Sequence, residues 1–200
     1  MRKKESIFWN NQGHEIHTKT NVFKQPDISK HQFDILEKYK IKGKRVLEIG
    51  PGNGRDIKKF LEYGAKVSAI DIGKKFINEL KKKYKGNFIV GDLRKIHNHF
   101  ANKTFDIIYS RWSVIHLKMR ELKKFIKNCK SLLRKKGIIL ISLRYGDELK
   151  GVNPTTNMQS LSLNPTRAKK LKTRKMKVDL IDVIDSKEEL QQITIVLKKN

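Results

Sequence analysis

Three glycines at alternate positions, Gly50, Gly52 and Gly54, follow an apolar run, Val46-Leu47 with Ile49, that carries one acid, Glu48. Asp56 and the periodic set Ile57, Phe60 and Leu61 come next and open a helix. A strand that turns through glycines into a helix brings bare backbone close to a bound ligand. Two more acids stand at the ends of strand-like segments: Asp71, 21 residues after Gly50, and Asp92, directly after Gly91. A carboxylate placed like Asp71 can accept both hydroxyls of a ribose, as the acid about 20 residues past a dinucleotide-binding loop does. It can equally serve as an N-cap for the next helix. Asp92 follows glycine in what is also ordinary turn chemistry. An acid such as Glu48 inside a buried strand is costly without a partner, which points to a role for it. A dinucleotide loop has its third glycine three residues after the second. Here it comes one residue earlier, which sets this E-x-G-x-G-x-G stretch apart from an NAD-binding loop.

These residues need elements to hold them, and the chain alternates strand and helix signals. Residues 66–70 (KVSAI) read as a second strand, ending on Asp71. Phe76, Ile77, Leu80 and Tyr84 fall on one helical face, and 87–90 form a third strand stopped by Gly91-Asp92. Residues 105–109 (FDIIY) are a fourth strand, 118–136 a long amphipathic helix, and 138–143, the longest apolar run, a fifth buried strand. Upstream, Phe33, Leu36 and Tyr39 suggest a short helix before Gly43. Downstream, 146–164 read as loop and 165–175 as a basic helix. Residues 178–184 and 192–197 are β-rich, and the link between them is too short for a parallel crossover, so they should pair as an antiparallel hairpin. Alternating βα units imply a mostly parallel sheet with helices on both faces.

Composition narrows the classes. Two hundred residues, 38% of them hydrophobic, suit one folded domain. No apolar run approaches the ~20 residues of a membrane span, and the basic start leads into polar Asn10-Asn11-Gln12 rather than a signal-peptide core, so the expected address is the cytoplasm. The single cysteine, Cys129, excludes a disulfide framework and lies on an apolar helical stripe, where it reads as a buried inert thiol. His14-Glu15-Ile16-His17 spaces its histidines three apart rather than the four of a helical zinc motif, so no metal is expected. The net charge is +26, from 46 basic and 20 acidic residues. Only 10 of the 46 are Arg, and a lysine bias on solvated faces is the simpler reading than a polyanionic partner.

Glu48, Gly50, Gly52, Gly54, Asp71 and Asp92, in that order over alternating strands and helices, resemble the class I S-adenosylmethionine-dependent methyltransferases across about residues 40–200. The resemblance implies an α/β, Rossmann-like, seven-stranded sheet ordered third, second, first, fourth, fifth, seventh, sixth, with the last strand antiparallel. It implies S-adenosyl-L-methionine as cofactor. The glycine loop and Glu48 would face the methionyl tail and its ammonium, Asp71 with Ile72 the ribose, and Asp92 with Leu93 the adenine. Ser110 or Arg111 would lend a backbone carbonyl to the ammonium. Within 105–117 (FDIIYSRWSVIHL), Trp112 and His116 would lie on the acceptor side. His116 is a candidate general base, or equally a satisfied histidine at a helix start. Tyr145, with Arg144 before it, would stand at the rim, contacting an anionic or aromatic acceptor or bracing the loop.

The expected organisation is one domain: residues 1–40 as a lid, 41–145 as the cofactor core, and 146–200 as loop, basic helix and hairpin. Signatures of amino-methylating DNA enzymes are missing, since the fourth strand runs into Ser110-Arg111-Trp112-Ser113 rather than an Asn/Asp-Pro-Pro-aromatic run. The expected activity is methyl transfer to a small-molecule acceptor. The alternatives are a nucleic-acid acceptor on the basic runs 118–136 and 167–177, or a non-catalytic partner that binds cofactor for structure.

Overall fold

The apolar stretch around 46–49 forms β1 (Arg45–Ile49), four of whose five residues are buried. In the computed structural model, residues 6–11, 13, 15, 29–147, 152–153, 158–184 and 191–200 are described. Half of the expected lid, and the link 185–190 of the hairpin, lie outside them. The chain divides into two units, Met1–Lys95 and Ile96–Asn200.

In the first unit α1 (Lys30–Glu37) precedes β1, and α2 (Arg55–Glu62), β2 (Lys66–Asp71), α3 (Lys74–Lys83) and β3 (Asn87–Val90) follow. β1 pairs with β2 in parallel from Arg45↔Lys66 to Ile49↔Ile70, and β2 with β3 from Ser68↔Asn87 to Asp71↔Val90. The order β3-β2-β1 is the expected third, second, first. Ile57 and Phe60 of α2 and Phe76, Ile77 and Leu80 of α3 are all within 1% of complete burial, which is why their helical spacing was readable. Burying each such side chain stabilises by about 1.5–3 kcal/mol. Phe33 of α1 packs on Phe60 with ring centroids 4.9 Å apart and on Tyr63 at 5.7 Å, and Tyr63 Oη donates to Glu37 at 3.0 Å.

The second unit holds α4 (Ile96–Phe100), β4 (Phe105–Arg111), α5 (Met119–Leu132), β5 (Leu133–Tyr145), β6 (Val152–Asn153), β7 (Met158–Gln159), β8 (Ser162–Leu163), α6 (Pro165–Lys169), β9 (Met176–Ile184) and β10 (Gln192–Lys199). β4 is parallel to β5, and β10 is antiparallel to both β5 and β9, giving β4-β5-β10-β9, the expected fourth, fifth, seventh, sixth. The fold is therefore α/β, mostly parallel, with antiparallel strands at its C-terminal edge. The seven expected strands are present, and β8 adds an eighth by pairing in parallel with the end of β5.

Three expectations need correction. The helix over 118–136 stops at Leu132, and β5 starts at Leu133 rather than 138. The apolar periodicity ends there: Arg134, Lys135 and Lys136 are exposed, and Lys136 takes a φ of +63°. The basic helix over 165–175 covers only Pro165–Lys169, because Lys172-Thr173-Arg174-Lys175 offer nothing apolar to bury. The loop 146–164 contains the small β6–β7 pair and β8.

The end of α5 is closed from a distance. Lys199 Nζ donates to the carbonyl oxygens of Lys130, at 3.0 Å, which also accepts from Leu133 N–H, and of Leu133, at the end of the helix. Partial burial and the nearby Lys130 and Lys175 ammoniums lower the Lys199 pKa. We expect Lys199→Met to lose about 1–2 kcal/mol in urea unfolding, from two unmade hydrogen bonds to α5. An unchanged midpoint would show that water replaces the lysine without loss.

Candidate functional site

The turn after β1 is built for close backbone approach. Gly50, Gly52 and Gly54 have φ of +67°, +53° and +82°, which explains their alternate spacing. Gly54 is held hardest: it is the residue before α2, and a Cβ there would lie 2.2 Å from Leu80 Cδ2. Gly50 N–H donates to Ile70 O at 2.8 Å, tying the turn to β2. Glu48, at 3% exposure, is buried in β1 just before the turn.

Asp71 joins two loops. Its Oδ2 accepts from Gly52 N–H at 3.2 Å and its Oδ1 from Gly73 N–H at 2.8 Å, while its carbonyl accepts from Gly91 N–H at 2.8 Å. The half-buried carboxylate thus links the glycine turn to the β2–α3 loop, and the backbone of the same residue holds the end of β3. Burial raises its pKa to about 6, against the lowering effect of the N–H groups of Gly73, Gly52 and Ile72. Chemically this is an acceptor whose ionised form is poised to receive hydroxyl donors.

Asp92 is committed to its own turn: Oδ1 accepts from Arg94 N–H at 2.8 Å, and the Arg94 guanidinium lies 3.3 Å away. Leu93 opens the short 3-10 turn Leu93–Lys95. The structure thus brings Glu48, the three glycines, Asp71, Ile72, Asp92 and Leu93 together at the carboxyl ends of β1, β2 and β3 within one unit.

Two partners here escaped the sequence reading. Arg94 on Asp92 is one. The other is Asn10, whose Oδ1 accepts from Lys74 N–H at 2.7 Å, while its Nδ2 donates to Ser6 O at 2.7 Å. α3 starts at Gly73-Lys74 with no cap from its own chain neighbours, so Asn10 caps it from 64 residues away. A helix without a local cap was the signal that one arrives from elsewhere. Asn10→Ala should speed hydrogen exchange of the Lys74 amide about fivefold, equivalent to about 1 kcal/mol of cap. An unchanged rate would mean the contact is not made in solution.

The other candidate residues stand in the second unit. Ser110 is fully buried on β4 with its Oγ lacking a partner among the described residues. The Arg111 carbonyl already accepts from Ser113 Oγ at 3.4 Å. Trp112 leaves β4 with a φ of +60°, unusual for a bulky side chain, and its N–H donates to Ser142 O at 2.9 Å. Its indole Nε1 is buried without a partner among the described residues. His116 ends the 3-10 turn Val114–His116, and Tyr145 ends β5 with its N–H on Gln191 O at 3.2 Å. Cys129 is buried, and burial pushes its thiol pKa well up. Among the described residues no group of three His, Cys, Asp or Glu could hold a metal, and no helix is long and apolar enough to cross a membrane.

Comparison with known proteins agrees with this geometry. The methyltransferase domain family matches residues 47–141, from within β1 to within β5. The phosphoethanolamine N-methyltransferase of Plasmodium falciparum is 32% identical over 103 residues, 49% of this chain and 38% of that protein. The human N-terminal Xaa-Pro-Lys N-methyltransferase 1 is 28% identical over 106 residues, 48% of this chain and 45% of that protein. The chain thus spans less than half the length of these curated relatives. Among solved structures, the magnesium protoporphyrin IX methyltransferase of Synechocystis, with bound S-adenosylhomocysteine, superposes with a TM-score of 0.77 at 15% identity, covering 100% of both chains. Its likeness speaks for the fold. Residues 47–141 thus match the methyltransferase domain family, and the fold around them is the Rossmann-like one of that solved structure.

Proposed function

We propose that the chain transfers a methyl group from S-adenosylmethionine to a small-molecule acceptor. The observation that carries this reading is the Asp71 carboxylate, held by Gly52 and Gly73 N–H groups at the meeting of the glycine turn and the β2–α3 loop. There it offers acceptors for the ribose hydroxyls, with Ile72 beside it. In this reading Glu48 and the glycine turn take the methionyl end, Asp92 and Leu93 the adenine, and Ser110 and Arg111 backbone the ammonium. Trp112, His116 and Tyr145 bear on the acceptor. Transfer from a sulfonium is an in-line displacement, so the protein's main contribution is to orient donor and acceptor. The Plasmodium relative and the Synechocystis neighbour are named for small acceptors, which supports the same class here.

The test is calorimetry with S-adenosylhomocysteine, followed by label transfer from methyl-labelled cofactor into fractionated small molecules. Binding with a micromolar dissociation constant and label in a low-mass fraction are expected. Absence of binding would overturn the assignment. Label in RNA, with affinity falling steeply as salt rises, would move the acceptor to nucleic acid and give the basic run of α5 a use.

A further inference from the structure

One face of the second unit is unusually polar for a core. Strand register places Arg111 beside Ser142, Ser142 beside Thr194, and Arg144 beside both Gln192 and Ser162. Neighbours in register share a face, and so do residues two apart along a strand. Ser162 therefore shares the face of Arg144, with Leu163 on the other, and Ser160 lies two residues before it, just ahead of β8. Ser142 Oγ donates to Gln192 Oε1 at 3.2 Å and Thr194 Oγ1 to Ser142 Oγ at 3.4 Å, so the deeper part of this face is linked internally.

The outer part is different. Ser160 and Ser162 are 4% and 0% exposed, and neither Oγ has a hydrogen-bond partner among the described residues. Beside Ser162 in register, the half-buried Arg144 carries a guanidinium with no hydrogen-bonded or ion-paired partner among the described residues. The carboxylates nearest in sequence or register are elsewhere engaged or a strand removed: Asp147 Oδ1 accepts from Asn164 Nδ2 at 2.9 Å, and Asp182 pairs with Thr194 on β9. Buried hydroxyls are ordinarily satisfied, and a half-buried guanidinium ordinarily meets an acid. A planar fork of donors with the Ser162 hydroxyl beside it in register, Ser160 two residues before that, and no acid paired with it among the described residues is a donor set for an oxyanion.

We propose that Arg144, with the hydroxyls of Ser160 and Ser162, forms an oxyanion subsite that takes a phosphate or carboxylate group of the methyl acceptor. The acceptor part of this statement rests on the methyltransferase reading above, whereas the anion binding does not.

The experiment is calorimetric titration of the full chain with inorganic phosphate and, separately, with acetate, at about 0.15 M salt to screen the surface lysines. Saturable binding of one of the two is expected, and which one identifies the acceptor group as phosphate or carboxylate. Equal binding of both supports the shared oxyanion chemistry. Arg144→Gln should weaken it about tenfold or more. Ser162→Ala should weaken it about threefold while raising the melting temperature, because it removes a buried hydroxyl that lacks a partner in the free protein. That pairing of opposite signs is not produced by a residue with a merely structural role, and it decides the matter should Arg144→Gln fail to fold. Affinity unchanged in both variants, or no saturable binding of either anion, overturns the subsite. S-adenosylhomocysteine binding in the same preparations reads the donor site separately. Loss of that binding with Arg144-dependent phosphate affinity would sink the methyltransferase reading alone, and the reverse would sink the subsite alone.

Discussion

Asp71→Ala is expected to weaken S-adenosylhomocysteine binding by about 10²–10⁴. The figure follows from two hydrogen bonds to a charged acceptor at about 1.5–3 kcal/mol each, with tenfold in affinity for every 1.4 kcal/mol. Asp71→Asn, which keeps one acceptor oxygen and loses the charge, should fall between that variant and the parent. The parent protein's own pH dependence offers a check without mutation. With the carboxyl raised to about 6, affinity should hold above that pH and fall about tenfold per unit below it, because the hydroxyls are accepted by the ionised form. Stability runs the opposite way. A carboxyl whose folded pKa of about 6 exceeds the reference 3.8 binds its proton more tightly when folded. Its stabilising contribution is therefore full below about 3.8 and is lost as pH rises through about 6. Affinity and stability changing in opposite directions between pH 4 and 7 identifies this one group. Cofactor affinity flat across that window would place ribose recognition elsewhere.

Gly54→Ala should lower the melting temperature by about 4–20 °C. The left-handed φ of +82° costs an L-residue about 1–2 kcal/mol, and overpacking costs about 1–3 kcal/mol more. The conversion uses about 2–4 °C per kcal/mol for a chain of this size. The clash is with the far end of Leu80, a flexible atom, but Leu80 is 0% exposed and Tyr84 Cε2 stands 3.3 Å from the same point, so it has little room to yield. The two contributions separate in a double-mutant cycle. In a Leu80→Ala background the steric part of the Gly54→Ala cost should vanish and the backbone part remain. A strictly additive double mutant would mean that Leu80 moves aside freely.

Much of the frame was legible because buried parallel strands read as apolar runs and their helices as clean amphipathic stripes. The hairpin was legible from the short link 185–190, which no crossover fits. The residues proposed for the methyl-donor side could be named because a glycine turn and two strand-end acids have fixed sequence offsets. Other features lacked a local signature. β8 is two residues long, too short to show a period. The Asn10 cap joins positions 64 apart. Lysine-rich 170–175 looked helical because nothing in it forbids a helix, yet after Leu171 nothing in it has an apolar surface to bury. The polar face around Arg144 became visible only once strand register aligned residues from four separate segments.

β10 lies between β5 and β9, supplying hydrogen bonds to both. During synthesis this makes the second unit wait for its last segment. Until residues 192–199 have emerged, the apolar edge of β5 at 138–143 is an unpaired strand template, the kind of edge that recruits other chains. A ribosome that stops at residue 190 would thus release an aggregation-prone fragment rather than a smaller folded unit.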